Sequence, residues 1–151
     1  MRGGLKAIVL ALGCVLATLS STAAQSLDSA PPRRIVSLNM CTDQLLLDLV
    51  PSERLVGVSY LGADKTLSAE ARRLSKFKLL KGTAEEVLAL KPGLVIAGEY
   101  TTGATVNLLR RLGQNVLIVP MAIDFDGMRK TVRQIALAVG EVERGEKVLS
   151  D

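Results

Sequence analysis

Cys41, Ser37 and Asp43 are the residues of this sequence whose types and spacing could support nucleophilic chemistry, and the chain offers them no imidazole partner. None of its 151 residues is histidine. Neither a Ser–His nor a Cys–His dyad can form, and histidine-bearing transition-metal cages fall with them. An exported thiol or serine enzyme built on Cys41, or on Ser37 with Asp43, would need a lysine or a carboxylate as its base. Met40 and Cys41 offer soft sulfur atoms to a metal, but a gap-filling thioether and a small buried thiol are the favoured reading of the pair. Phosphate chemistry is no better supplied: Asn39-Met40-Cys41-Thr42, after the first strand-like run, holds no glycine to let a pyrophosphate approach, and no Walker-type loop occurs. A binding role gains by elimination.

The elements that must position such residues begin after residue 24. Arg2 and Lys6 precede the apolar run Ala7–Leu19, and Thr22-Ala23-Ala24 supplies small residues, the pattern of a signal peptide cleaved after Ala24. Cys14 lies inside the apolar run rather than at its end, which disfavours lipidation there. Residues 25–33 form a short polar leader ending in prolines. Two of the 19 basic residues leave with the signal while all 15 acidic ones stay, so the remaining positive excess is too small to argue for nucleic acid. Cys41 is alone in the mature chain and cannot form an internal disulfide. With 48% hydrophobic but only 3% aromatic residues, the core is expected to be aliphatic.

The clearest unit is Gly82–Tyr100. Thr83 is placed to cap a helix, with Glu85 and Glu86 at its positive end; Pro92 and Gly93 stop it, and Leu94–Ala97 is apolar without alternation, as a central strand buried on both faces is. Arg34–Leu38, Leu55–Val58 and Val116–Val119 read as further strands, and Phe77–Lys81 as a very short one. Between them, Thr42 or Asp43 is expected to cap a leucine-rich helix ended by Pro51. Ser68 opens a basic helical stretch through Leu74, Val106–Leu112 has helical spacing, and Met128–Val139 carries a core-facing stripe ended by Gly140. Strands alternating with helices predict an α/β fold: a Rossmann-like, doubly wound parallel sheet forming one lobe over residues 34–140.

Six segments carry a resemblance: RIVSL at 34–38, TDQLLLDL at 42–49, RLVGVS at 54–59, EEVLALKPGLVIAG at 85–98, LLRRLGQNVLIV at 108–119, and VGEVERGEKVLSD to residue 151. In this order and spacing, behind a signal peptide and without histidine, the chain resembles the amino-terminal lobe of the periplasmic substrate-binding proteins of ABC importers for ferric siderophores, haem and cobalamin. It departs from them at Asn39-Met40-Cys41, where a proline is usual, and at Gly93, where an acidic residue is usual.

The resemblance implies a non-enzymatic solute-binding component in the periplasm that takes a corrinoid or ferric siderophore and passes it to a membrane permease. It would touch the membrane only through that permease and need no cofactor, any metal arriving inside the bound chelate. Residues 141–151 would begin an interdomain helix leading to a second lobe absent from the sequence. A stand-alone adaptor lobe without ligand is the alternative. The ligand face implied is the set of loops at the carboxyl ends of the strands: Asn39, Met40, Cys41 and Thr42; Tyr60 and Leu61; Glu99, Tyr100 and Thr101; and Phe125. Tyr60, Tyr100 and Phe125 would cover a flat ligand, or else roof the lobe's own core. Glu85, with Glu86 behind it, corresponds to the family's acidic residue that pairs with permease arginines.

Overall fold

Apolar β-rich runs make the strands. In the computed structural model, which describes residues 30–151, Ile35–Ser37 (β1), Leu55–Ser59 (β2), Leu79–Leu80 (β3), Leu94–Gly98 (β4) and Val116–Val119 (β5) pair in the order β3-β2-β1-β4-β5, all parallel. The signal peptide assigned to residues 1–24, Cys14 and the first residues of the leader lie outside the described residues. The helices are Met40–Leu49 (α1), Ala71–Leu74 (α2), Ala84–Ala89 (α3), Gly103–Arg111 (α4), Phe125–Val139 (α5) and Val142–Ser150 (α6). The expected doubly wound parallel sheet is therefore present. Leu94–Ala97 is internal and buried on both faces, although β1 rather than β4 occupies the middle of the sheet.

Strand periodicity splits the core in two. Ile35, Leu94 and Ile96 point to one face, where they meet Leu46 and Leu49 of α1, Leu74 of α2 and Ile135 and Val139 of α5. Val36 and Val95 point to the other, against Ala84 and Val87 of α3 and Leu109 of α4. In β2 an extra residue intervenes, because Ile35 pairs with Leu55 but Val36 pairs with Gly57. That bulge lets both Leu55 and Val58 join the first face. Gly57 is required for contact on the second: a Cβ there would stand 2.7 Å from Leu90 Cδ1. Each of these fully buried aliphatic side chains stabilises the fold by roughly 1.5–3 kcal/mol.

The helix ends show where local chemistry differs from expectation. Asn39, not Thr42 or Asp43, caps α1: its backbone is extended and its Oδ1 accepts the amides of Cys41 and Thr42. The helix thus starts a turn earlier, and Thr42 and Asp43 are drawn inside. The basic stretch is helical only from Ala71; Ser68 lies in the turn before it, where its hydroxyl accepts the Glu70 amide. Thr83 does cap α3, and Glu86 completes a capping box.

Arg54 ties the end of the leader to the last helices. Its guanidinium donates to the Pro32 carbonyl, to the Val139 carbonyl at the negative end of α5, and to Glu141 Oε1 at 2.6 Å. Gly140, at φ 73°, reverses the chain between α5 and α6, and Pro31 packs where its Cβ would be. Beyond it α6 folds back on α5, with Gly145 so close that a Cβ would stand 2.5 Å from Ala136 Cβ.

The Arg54–Glu141 pair is 16% and 25% exposed, whereas Arg133 and Glu146, which link α5 to α6, are 55% and 51% exposed. In urea unfolding, Arg54→Met is expected to cost about 2–3 kcal/mol and Arg133→Met less than about 1 kcal/mol. Equal losses would contradict this ranking.

Candidate ligand-binding site

The order β3-β2-β1-β4-β5 reverses its direction of winding between β1 and β4. The chains leaving these two strands diverge to opposite faces and open a crevice at their carboxyl tips, where open α/β sheets place ligands. Asn39 follows β1 and Glu99 follows β4, so the two residues flank this point. The Asn39 amide lies so close over Gly98 that a Cβ there would stand 2.5 Å from Nδ2. Gly98 is thus the residue that lets the cap of α1 close over the tip of β4.

Beside the crevice a buried polar cluster holds the next loop in place. The Ser37 and Thr42 hydroxyls meet at 2.7 Å, and that of Thr42 donates to the Asn39 carbonyl at 2.9 Å. Asp43, fully buried, accepts the Ser59 amide on Oδ2 at 3.1 Å and packs against Gly62. Ser59 in turn accepts the Leu61 amide and caps the tight turn Tyr60–Ala63. Tyr60 and Leu61 are therefore presented outward by a turn whose underside is clamped to α1.

Of the residues expected on the ligand face, Tyr60, Leu61, Glu99, Tyr100 and Phe125 are exposed at one edge of the sheet, with Tyr100 at 77% and Phe125 at 80%. Asn39, Met40 and Thr101 are half-buried there, and Cys41 is an exposed free thiol in the first turn of α1. Thr42 does not reach the rim; it is 3% exposed and bonded inward. β1 separates β2 from β4, which sets the strand tips carrying Tyr60 and Tyr100 about 10 Å apart.

Beyond β5, Met121, Ile123 and Met128 extend the apolar rim, Ile123 being 86% exposed. Met121 and Ile123 belong to the loop 121–125 expected to face the ligand, where by residue type only Phe125 stands out; Met128, expected in the core-facing stripe of its helix, is instead 52% exposed in the first turn of α5. Asp124 Oδ1 takes the Gly127 amide and caps α5, which leaves Phe125 free at its start.

Two ionisable groups at this edge, one carboxyl and one phenol, are raised above their ordinary values. Burial pushes Asp43 up to about 7, with the Ser37 hydroxyl and the Ser59 amide opposing it. The Glu99 carboxylate beside its phenol raises Tyr100 above the ordinary tyrosine value. Away from the rim, Glu86 Oε2 is occupied by the Lys81 and Thr83 amides, whereas Glu85 is exposed and has no ion-pair partner among the described residues. Glu85, Lys81 and Thr102 line a shallow groove of about 350 Å³ between the starts of α3 and α4. Among the described residues, no three Cys, Asp or Glu side chains converge as a metal site would require.

Comparison with known proteins gives this edge a context. Over 121 residues, 80% of the chain, it is 30% identical to a cobalamin-binding protein of Halobacterium salinarum, covering 32% of that protein. Over a similar span it is 27% identical to the uncharacterized ABC transporter substrate-binding lipoprotein YvrC of Bacillus subtilis, covering 38% of it. The chain is homologous to ABC-importer substrate-binding proteins. It spans about a third of the length of these curated relatives. The apo structure of the periplasmic heme-binding protein RhuT from Roseiflexus superposes on 78% of the chain with a TM-score of 0.66 at 27% identity, covering 45% of RhuT. No family model matches the chain. Partial coverage of this kind fits one lobe of such a binding protein.

A folded-state value near 7 against 3.8 for the free side chain means that the native state holds the Asp43 proton over a range where the unfolded chain has lost it. Stability therefore falls as pH rises from about 4 through 7, by on the order of 4 kcal/mol in all. Asp43→Asn, which retains an acceptor for the Ser59 amide, is expected to flatten that dependence in urea titrations between about pH 4 and 8. An unchanged slope would place the titrating group elsewhere.

Proposed function

We propose that this chain is the ligand-capturing lobe of an exported solute-binding protein that delivers a corrinoid or a ferric siderophore to an ABC permease. The observation that carries the reading is the convergence of Tyr60, Leu61, Tyr100, Ile123 and Phe125, all exposed, on the strand tips either side of the point where winding reverses. Isolated exposed apolar side chains are common, but several large ones on the strand tips of one sheet edge, beside a crevice, suit a binding surface. Flat rings suit a macrocycle or an aryl chelate, because each covers a wide area while giving up few rotamers.

Capture needs no chemistry from the chain itself. Loops fixed from below by Asn39, Asp43, Ser59 and Asp124 would lose little further entropy on binding. A second lobe would complete the cleft, and the homologues, being longer than this chain, have room for one. Glu85, exposed at the start of α3 and free of intramolecular partners among the described residues, is the residue proposed to meet a permease arginine. Glu86 is committed to the capping box and is the lesser choice.

Tyrosine fluorescence of the full chain is expected to quench saturably with cyanocobalamin or a ferric hydroxamate. Tyr60→Ala and Tyr100→Ala should each weaken binding about tenfold with little change in stability. Absence of saturable quenching by either ligand would remove the capture reading. Glu85→Lys is expected to leave ligand affinity intact while abolishing stimulation of the permease ATPase; unchanged stimulation would exclude Glu85 from docking.

A further inference from the structure

The rim is acidic where it is charged at all. The loops that follow β1, β2, β4 and β5, residues 38–41, 60–63, 99–102 and 120–125, contain only two charged side chains, Glu99 and Asp124. Asp124 is spent on the Gly127 amide at 2.6 Å and answers the positive end of α5. Glu99 is exposed and lies at the tip of β4 on the crevice, and its carboxylate raises the phenol of its neighbour Tyr100 above the ordinary value. Its backbone is fixed, since its amide donates to the Val119 carbonyl at 3.0 Å and the turn closes through Thr101 to the Gly98 carbonyl at 2.9 Å.

Basic residues lie outside these loops. Lys65 follows the turn after β2, Lys81 stands at the tip of β3 beside the groove, and Arg129 and Lys130 come a turn into α5. Of the helix starts beside β4, that of α1 has its Cys41 and Thr42 amides taken by Asn39 Oδ1, and that of α4 brings only about half an elementary charge, less than the full charge of Glu99.

Resting on the capture reading above, we propose that Glu99 is a specificity-determining residue that makes this face select uncharged or cationic chelates and reject polyanionic ones. The rings of Tyr60 and Tyr100 supply contact area that is indifferent to charge, so discrimination falls to the carboxylate that precedes Tyr100 at the tip of β4. A ligand carboxylate or catecholate set on this rim meets a fixed negative charge with no guanidinium or ammonium in the four loops to offset it. A ligand edge that carries amide N–H groups or a positive charge meets a hydrogen-bond acceptor instead.

Two matched pairs test this in the full chain by equilibrium titration: cyanocobalamin against its monocarboxylic acid derivative, and a neutral ferric trihydroxamate against a trianionic ferric tris-catecholate. Within whichever pair binds, the neutral member should bind at least about tenfold tighter. The gap should narrow in Glu99→Gln and shrink as salt is raised. Tighter or equal binding of the anionic member, or a gap that Glu99→Gln leaves intact, would overturn the assignment while leaving capture itself standing. Binding of none of the four would instead remove the capture reading, and this inference with it.

Discussion

Asn39 closes over the tip of β4 at the one place where the sheet reverses its winding, and the arrangement of the whole upper edge follows from that contact. Its side chain caps α1 by accepting two amides and lies against Gly98, a position with no room for a Cβ. Because Asn39 starts the helix, Thr42 and Asp43 turn inward rather than outward, and Asp43 reaches across to the Ser59 amide. One capping interaction therefore sets the loop after β1, pins the loop after β2, and leaves the loop after β4 free to expose Glu99 and Tyr100. A surface organised in this way is stiff beneath and open above, as a preorganised binding face needs to be.

The cost of this construction is concentrated in Asp43. A carboxyl with no exposed surface, with Oδ2 bonded to the Ser59 amide and Oδ1 lacking a well-formed hydrogen bond among the described residues, is unfavourable in its charged form, and the nearby Ser37 hydroxyl offsets that only in part. It is retained at the hinge between helix α1 and the turn that carries Tyr60 and Leu61. That location connects the least comfortable residue of the interior with the rim above it, a pattern common where structure serves a site rather than stability alone.

Much of the scaffold was legible in the residues. The aliphatic run at Leu94–Ala97, the Thr83–Glu86 box and the Gly140 stop each carry a local signal that tertiary packing did not override. The start of α1 was not, because Asn39, Thr42 and Asp43 are all good capping types, and only the closeness of β4 decides among them. For the same reason Thr42 looked available to a ligand although its hydroxyl is turned inward. At the site, the aromatic residues stand out in a chain so poor in them, whereas Met128 fits the helical stripe of the core by spacing and only the fold leaves it uncovered. The order of the strands, and with it the position of the crevice, depends on long-range pairing that no local pattern carries.

The account stands on the strand tips being where cargo is held. Amide chemical-shift mapping of the full chain during titration with cyanocobalamin or a ferric trihydroxamate tests that most directly. Perturbations should cluster in residues 38–41, 60–63, 99–102 and 120–125, around Asn39, Tyr60, Tyr100 and Phe125. A cluster at the opposite edge instead, around Ser52–Arg54, Lys91–Gly93 and Gly113–Asn115, would contradict it.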